Sequence, residues 1–178
     1  MIGVDKKELR VIAKNKRKQI NKPDAANNLC ANFLKNILLK PNSIVAIYAA
    51  TQNEIDVIPL GKKLIQLGHK ICLPVIKGDI LEFHEWDGVA ELVEGKHNIK
   101  TPKPNTQHLT PDYIIVPFLA FDSNKHRLGY GGGYYDKTMH SMTAIKIGVG
   151  YAEQQVDKIP VNETDIQLDF IVTDENLL

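Results

Sequence analysis

The feature that most constrains the fold is a repeated change of hydrophobic periodicity along the chain. Apolar residues first recur at three-to-four spacing, which predicts one helix from a cap at Asp5 to about Ile20 and a second helix ending near Leu39. Residues 43–50 then form a continuous apolar run, typical of a strand buried on both faces, and residues 57–67 return to helical spacing. Because strands alternate with helices in this way, the sequence predicts a mostly parallel sheet covered on both faces.

Five further segments are predicted as strands. They are residues 70–75, an edge strand at 81–84, and residues 112–118, 145–151 and 168–173. The chain has 178 residues, of which 43% are hydrophobic and 24% charged, the size and composition of one globular domain. We therefore expect a single α/β domain over residues 1–178, with three layers (α/β/α) built on an open, mostly parallel, Rossmann-like sheet.

Charge and cysteine content narrow the class of protein. The 22 Lys and Arg residues nearly balance the 21 Asp and Glu residues, so the molecule as a whole has no pull toward nucleic acid or anionic lipid. Cys30 and Cys72 form no CxxC pair and suit a reducing compartment. The apolar run at 113–121 is about half as long as the ~20 residues of a membrane helix. We expect a cytoplasmic protein without a signal peptide and without nucleic-acid or membrane partners, acting as a monomer or weak homodimer.

A parallel sheet also predicts where a ligand binds. Ligands of open α/β sheets lie beyond the carboxyl ends of the strands. In this chain those ends lead to residues 51–54, to a glycine-rich loop after residues 112–118, and to residues 151–155. We expect these three segments to meet at one edge of the sheet.

The glycine-rich loop carries the clearest chemistry. Four of the five residues from Gly129 to Gly133 are glycine, with Arg127 before them and Tyr134, Tyr135 and Asp136 after them. Glycine lets backbone amides approach a ligand closely, and amides before a helix suit a phosphate, for which Arg127 adds matched donors. The segment fits neither the dinucleotide-binding nor the P-loop pattern, and a flexible surface turn is the other interpretation.

The first helix has a basic face. Seven of the thirteen residues in Lys6–Lys18 are Lys or Arg; Lys6 and Arg10 lie four residues apart on one face, which Lys14 and Arg17 extend. Three interpretations stay open, namely a solvated helix face, a cationic clamp for a polyphosphate, and a nucleic-acid-binding surface.

Two acidic residues near predicted strands are further candidates. Glu54 follows the first strand, where it is either a ligand for N–H groups or an ordinary loop charge. Asp165 precedes the last strand, where a turn or capping role is the other interpretation. The six histidines show no pair with metal-ligand spacing.

In chain order, these segments resemble the signature of the 5-formyltetrahydrofolate cyclo-ligase family, also called 5,10-methenyltetrahydrofolate synthetases. The most specific match lies within residues 117–136 and ends in RLGYGGGYYD; residues 6–10, 53–55 and 160–165 match other family segments. The resemblance spans nearly the whole chain. It implies a ligase that uses ATP and Mg²⁺ to phosphorylate the N5-formyl oxygen of 5-formyltetrahydrofolate, after which N10 attacks and closes the methenyl ring.

The resemblance also implies roles for individual residues. It assigns ATP binding to Lys6, Lys7, Glu8, Leu9, Arg10, Arg127, Leu128, Gly129, Tyr130, Gly131, Gly132, Gly133, Tyr134 and Tyr135. It assigns folate binding to Ala49, Glu54, Tyr130, Gly131, Gly132, Gly133 and Tyr134, with Arg127 and Tyr134 as catalytic residues. It assigns Mg²⁺ binding to Asp136 and Asp165.

Two features depart from the family pattern. Lys125 stands where many relatives place a glycine, and residues 78–111, expected on the folate side, match poorly. Apart from the resemblance, a sugar-phosphate isomerase or an acyl-CoA transferase on a similar frame would also use a phosphate-binding glycine loop.

Overall fold

A computed structural model describes residues 5–51 and 53–178. Residues 1–4 lie outside the described part, and so does Gln52, which belongs to the segment 51–54 predicted at the ligand-binding edge of the sheet. The helices are α1 (Lys6–Lys18), α2 (Ala25–Asn36), α3 (Ile58–Gln66) and α4 (Tyr134–Met139). The first strands are β1 (Ile44–Ala46), β2 (Lys70–Lys77), β3 (Ile80–Trp86), β4 (Val93–Glu94) and β5 (Lys100–Thr101). The later strands are β6 (Tyr113–Pro117), β7 (Ala120–Phe121), β8 (Arg127–Leu128), β9 (Ile145–Gly150) and β10 (Phe170–Thr173).

The central sheet has six strands in the order β10-β9-β6-β1-β2-β3. Its neighbouring strands are parallel except for β3, which pairs with β2 in antiparallel register and forms one edge. The predicted mostly parallel α/β sheet and its edge strand are therefore confirmed. Two small antiparallel pairs, β4 with β5 and β7 with β8, lie beside this sheet and were not predicted.

Hydrophobic packing covers both faces of the sheet. One cluster joins Leu29 and Phe33 of α2 and Leu60 of α3 to the strands, and the cluster on the other face includes Met139 of α4 and Phe83 of β3. Helix α1 packs instead on the β7–β8 pair, through Ala13, Leu128 and a few neighbours. In the part of the chain that the structure describes, no helix is both long and apolar enough to cross a lipid bilayer.

Local sequence signals explain where several elements begin and end. The Asp5 side chain accepts a hydrogen bond from the Glu8 N–H at 2.8 Å, as the predicted helix cap requires. Gly68, with a φ of +91°, lets the chain turn after α3. The first two helices end a few residues before the predicted Ile20 and Leu39. Strand β1 is shorter than the apolar run at 43–50: Ile47 N–H still donates to the Cys72 carbonyl of β2 at 2.9 Å, and the buried chain then continues without strand pairing toward Glu54.

The tight turn between β7 and β8 is built around the buried Asp122 carboxylate. It accepts hydrogen bonds from the backbone N–H groups of Asn124, His126 and Ile159 at 3.0–3.1 Å. Burial alone would raise the pKa of Asp122, but these N–H donors, led by that of Ile159, hold it below its usual value. Lys125 completes the turn with a φ of +63°, the left-handed region that favours glycine. The departure from the family pattern at Lys125 therefore falls at a strained position.

The strand order places a crevice between β1 and β6. From β1 the chain continues to β2 on one side, whereas β6 continues to β9 and β10 on the other, so the direction of winding reverses between them. Such a switch point opens a crevice at the carboxyl ends of its two strands. The segments that follow β1 and β6 are the Glu54 loop and the path to the glycine-rich loop.

Candidate active site

The basic helix and the glycine-rich loop are in direct contact. Arg10 Nε donates a hydrogen bond to the Gly129 carbonyl at 2.9 Å. A Cβ atom on Gly131 would lie in van der Waals contact with the Arg10 guanidinium, at 3.4 Å, and the φ of +105° at Gly131 would make any side chain there strained. Of the predicted phosphate-binding residues, Arg10 and the loop thus form one cationic surface.

Glu54 binds the other side of the same loop. Its Oε1 accepts a hydrogen bond from the Tyr130 phenol at 2.6 Å, and its Oε2 accepts from the N–H and the hydroxyl of Thr51 at 2.7 and 3.0 Å. Burial, together with the negative charge of Glu54, raises the pKa of Tyr130 above its usual range. The phenol is therefore protonated at neutral pH and acts as the donor. The sequence offered no signal for the role of Thr51, which depends on the conformation of the loop.

Two more tyrosines lie near the Glu54 carboxylate. Tyr48 is buried and donates its phenol to the Ile55 carbonyl at 2.9 Å. Burial raises the pKa of Tyr48 and of Tyr135 above the usual range, and the Glu54 charge adds to the rise in both. Tyr48 is part of the core, so the half-buried Tyr135 and the partly exposed Tyr130 are the neutral aromatic rings beside this carboxylate, an arrangement suited to a flat ring with N–H donors.

Arg127 is buried and joins α4 to the carboxyl-terminal segment. Its Nη2 lies 3.0 Å from Asp136 Oδ1, and its Nη1 donates to the Ile166 carbonyl at 3.0 Å. The Ile166 N–H in turn donates to Asp136 Oδ1 at 3.0 Å. The guanidinium has five donors, so these contacts leave part of the fork available to an anion.

Lys6 at the start of α1 and Asp165, shortly before β10, form an ion pair. Asp165 Oδ2 also accepts the Asn162 N–H at 2.6 Å. Burial opposes ionisation of Asp165, but Lys6 and the Asn162 N–H outweigh it and lower the pKa of Asp165 below its usual value. The segments at 6–10, 53–55, 127–136 and 160–165 are thus linked by contacts from one to the next, around the crevice.

The remaining predicted residues divide into two groups. The side chains of Lys7 and Glu8 are exposed. Leu9, Leu128 and Ala49 pack in the interior or against it, so these three residues can contribute to the candidate site only by positioning the backbone. Gly132 and Gly133 bring the chain close to Tyr134: a Cβ on Gly132 would lie 2.9 Å from the Tyr134 ring, and Gly133 has a φ of +70°.

Three side chains near the loop have no assigned role in the sequence-derived site. Arg17 is buried, donates to the Phe118 carbonyl at 3.4 Å, and places its guanidinium carbon 5.4 Å from the centre of the Tyr130 ring. Lys14 Nζ lies 5.8 Å from the same centre. Their helical spacing from Arg10 was the available signal. His97 Nε2 lies 3.2 Å from the Tyr134 phenol, a contact that links residues 78–111 to the site and that no spacing could predict.

A cluster of three carboxylates lies outside this crevice. Carboxylate oxygens of Glu153, Asp174 and Glu175 surround Lys22 Nζ at 2.7, 2.9 and 2.6 Å. Burial acts to lower the pKa of Lys22, but these hydrogen bonds raise it above its usual value. The ammonium group therefore occupies the position that a cation would take, and the cluster anchors the α1–α2 connection to the end of β10.

The order of the linked segments agrees with one protein family. The sequence profile of the 5-formyltetrahydrofolate cyclo-ligase family matches residues 2–174. The chain belongs to this family. The 5-formyltetrahydrofolate cyclo-ligase of Escherichia coli K12 is 37% identical over 140 residues, which cover 72% of this chain and 76% of that relative. The family membership favours the cyclo-ligase interpretation over the isomerase and transferase alternatives.

Solved structures of the cyclo-ligase family have the same fold. The 5,10-methenyltetrahydrofolate synthetase of Aquifex aeolicus matches with a TM-score of 0.84 and 28% identity, covering 97% of this chain and 91% of that protein. The Mycoplasma pneumoniae synthetase matches with a TM-score of 0.77 and 23% identity, covering 96% of this chain and 99% of that protein, a likeness of fold.

Proposed function

We propose that this chain catalyses the ATP- and Mg²⁺-dependent conversion of 5-formyltetrahydrofolate to 5,10-methenyltetrahydrofolate, with release of ADP and phosphate. The observation that carries the proposal is the double attachment of the glycine-rich loop. Arg10 contacts the loop at Gly129, and Glu54 contacts it at Tyr130, the next residue. One short loop thus lies between a cationic surface and a carboxylate beside aromatic rings. Phosphoryl transfer from a triphosphate to a pterin substrate requires both surfaces next to each other.

The cationic surface is the proposed ATP side. Lys6, Arg10 and Arg127 supply positive charge around the loop, and the amides of the glycine residues can approach phosphate oxygens closely. Phosphoryl transfer depends on alignment and on neutralising the charge of the moving group, for which these residues suffice. Arg10 contacts the glycine-rich loop and Lys6 pairs with Asp165, so these α1 cations lie beside the loop, which supports the clamp over a nucleic-acid-binding surface.

The opposite side of the loop is the proposed folate side. Glu54 would accept hydrogen bonds from N–H groups of the pterin ring, with Tyr135 nearby as a neutral aromatic ring, Tyr48 packed in the core, and Ala49 at the end of the buried chain. Tyr134, linked to His97, lies where the loop enters α4 and would border the reacting formyl group. Residues 78–111 would complete this side through His97.

The chemistry follows from the poor reactivity of the formyl amide. In the first step the formyl oxygen forms a bond to the γ-phosphorus of ATP, and the bond from that phosphorus to ADP breaks. In the second step N10 attacks the activated carbon and loses its proton to water or phosphate, while the carbon–oxygen bond breaks and phosphate leaves with the bonding electrons. The attack is intramolecular, and well-oriented groups reach effective molarities of about 10⁵–10⁸ M.

The carboxylates of Asp136 and Asp165 are suitable ligands for the proposed Mg²⁺ ion. Among the described residues, the hydrogen bonds and ion pairs of Asp136 fall on Oδ1 and those of Asp165 on Oδ2, which leaves one oxygen of each for a cation. One or two carboxylates together with phosphate oxygens and water are the usual ligands of Mg²⁺. The bound ion would neutralise phosphate charge.

A direct assay tests the proposal. The protein is mixed with 5-formyltetrahydrofolate and MgATP, and the near-ultraviolet absorbance of the methenyl product is followed together with ADP release. We expect one ADP for each methenyl group and no product when ATP or Mg²⁺ is omitted. ADP release without product, or product without ATP, would contradict the proposal. Light scattering on the same sample tests the prediction of a monomer or weak homodimer.

A further inference from the structure

Both oxygens of the Glu54 carboxylate already accept hydrogen bonds. Those on Oε2 come from Thr51, three residues away in the same loop, whereas the bond on Oε1 comes from Tyr130, 76 residues away in a different loop. Releasing Thr51 would require the loop to change its backbone. Releasing the Tyr130 phenol requires that its side chain turn away from Glu54 and from Arg17, which also hydrogen-bonds to it, but no change of backbone. Oε1 is therefore the acceptor that an incoming ligand can take by displacement.

The surroundings of Tyr130 hold it in place without fixing its backbone. The residue is 39% exposed and is followed by Gly131, whose φ of +105° marks a conformation open to glycine. The Arg17 guanidinium and Lys14 Nζ lie 5.4 and 5.8 Å from the ring centre, within the range of cation–π attraction. These cations stabilise the position in which the phenol reaches Glu54.

We infer that Tyr130 is a self-ligand of Glu54, whose hydroxyl occupies in the ligand-free enzyme the place that an N–H donor of the pterin ring takes on Oε1. The inference rests on the proposed function, because it takes 5-formyltetrahydrofolate as the ligand of Glu54. The pterin must break a charge-assisted hydrogen bond before it forms its own, so Tyr130 lowers the apparent affinity for folate. The displaced phenol belongs to the loop that lies against the proposed phosphate side, and that loop keeps its contact with Arg10 at Gly129 when the phenol moves.

Calorimetric titration with 5-formyltetrahydrofolate in the absence of nucleotide tests the inference. Tyr130→Phe keeps the aromatic ring and removes the competing hydroxyl together with its contact to Arg17, and we expect it to bind the folate about tenfold more tightly than the unmodified enzyme. Tyr113→Phe is the matched control, since its hydroxyl accepts the Lys40 N–H at 3.2 Å, far in sequence from either loop. It should leave folate affinity unchanged.

A second background separates competition from other effects of the substitution. In a Glu54→Gln enzyme the phenol no longer bonds to a charged acceptor, so adding Tyr130→Phe should improve folate affinity by less than about twofold. In an enzyme with ¹³C-labelled tyrosine rings, the Tyr130 signal, assigned from its loss in Tyr130→Phe, should shift when 5-formyltetrahydrofolate is added.

The possible results distinguish the inference from the proposed function. Unchanged or weaker folate binding by Tyr130→Phe would overturn the inference, and so would an equal gain in the Glu54→Gln background. If the unmodified enzyme forms methenyl product while either of those results is obtained, the self-ligand role alone is wrong. If the unmodified enzyme neither binds 5-formyltetrahydrofolate nor forms product, the proposed function is wrong and the inference fails with it.

Discussion

Replacing Arg127 tests the assignment of the phosphate side most directly. The guanidinium is 5% exposed and contacts both Asp136, which is 24% exposed, and the Ile166 carbonyl. Arg127→Ala leaves the carboxylate and the carbonyl without these partners. Breaking a fully buried pair costs about 3–5 kcal/mol, and because Asp136 is partly hydrated we expect a loss of about 2 kcal/mol in the free energy of unfolding. A domain with a typical stability of about 5–15 kcal/mol stays folded after that loss.

The effect on turnover should be much larger than the effect on stability. If Arg127 also neutralises charge on the transferred phosphoryl group, Arg127→Ala should lower kcat by about 10²–10³-fold. Arg127→Lys keeps a positive charge beside Asp136 but loses the planar fork, so it should retain most of the stability while still losing more than about tenfold in kcat. Urea unfolding and the methenyl absorbance assay measure the two quantities on the same preparations.

A neighbouring ion pair provides the control. Lys137 of α4 pairs with Asp79 at 2.8 Å on the surface, so Lys137→Ala should change the free energy of unfolding by less than about 1 kcal/mol and leave kcat unchanged. Turnover by Arg127→Ala within a few fold of the unmodified enzyme would refute the role in phosphoryl transfer. A loss of kcat in Arg127→Lys that tracks its loss of stability would assign Arg127 a structural role only.

Three further predictions address other parts of the site. Glu54→Gln should raise KM for 5-formyltetrahydrofolate by more than tenfold and KM for ATP by less than about twofold, as steady-state kinetics would show, and equal changes would speak against a pterin contact. Lys125→Gly should increase the free energy of unfolding by about 1 kcal/mol at unchanged kcat, because it relieves the left-handed backbone; a loss in urea unfolding would contradict this. The lowered pKa of Asp165 means that its contribution to stability is present above its unfolded pKa, near 3.8, and is lost as the pH falls through the folded value. Asp165→Asn should therefore flatten the decline of stability below about pH 5, and an unchanged decline would exclude the Lys6 pair as its source.

Much of the main sheet could be predicted because its strands are apolar runs with clear ends. Residues 112–118 and 145–151 appear as β6 and β9 with boundaries shifted by at most one residue. The β7–β8 pair could not be predicted, because two-residue strands carry no periodicity. They are held by Asp122, whose partner at Ile159 lies far away in the sequence.

The candidate site was predictable where residue type alone suggests the chemistry. Arg127, Glu54 and the glycine-rich loop stand out by composition and by their place after strands, and the structure links them to one crevice. Thr51 and His97 could not be found in this way, because a hydroxyl or an imidazole gains its role only from the conformation of its loop. Arg17 lies between the two cases: its helical face was visible in the sequence, but its burial under Tyr130 was not.

The ion pair between Lys6 and Asp165 makes neighbours of two residues that are far apart in the sequence, one in the first helix and one just before the last strand. A ribosome releases the residues of α1 first and Asp165 only after nearly all the rest. The outermost strand β10, whose end binds Lys22 through Asp174, emerges later still. The candidate site is therefore completed late during synthesis, and a nascent chain interrupted before residue 165 would lack both β10 and the partner of Lys6.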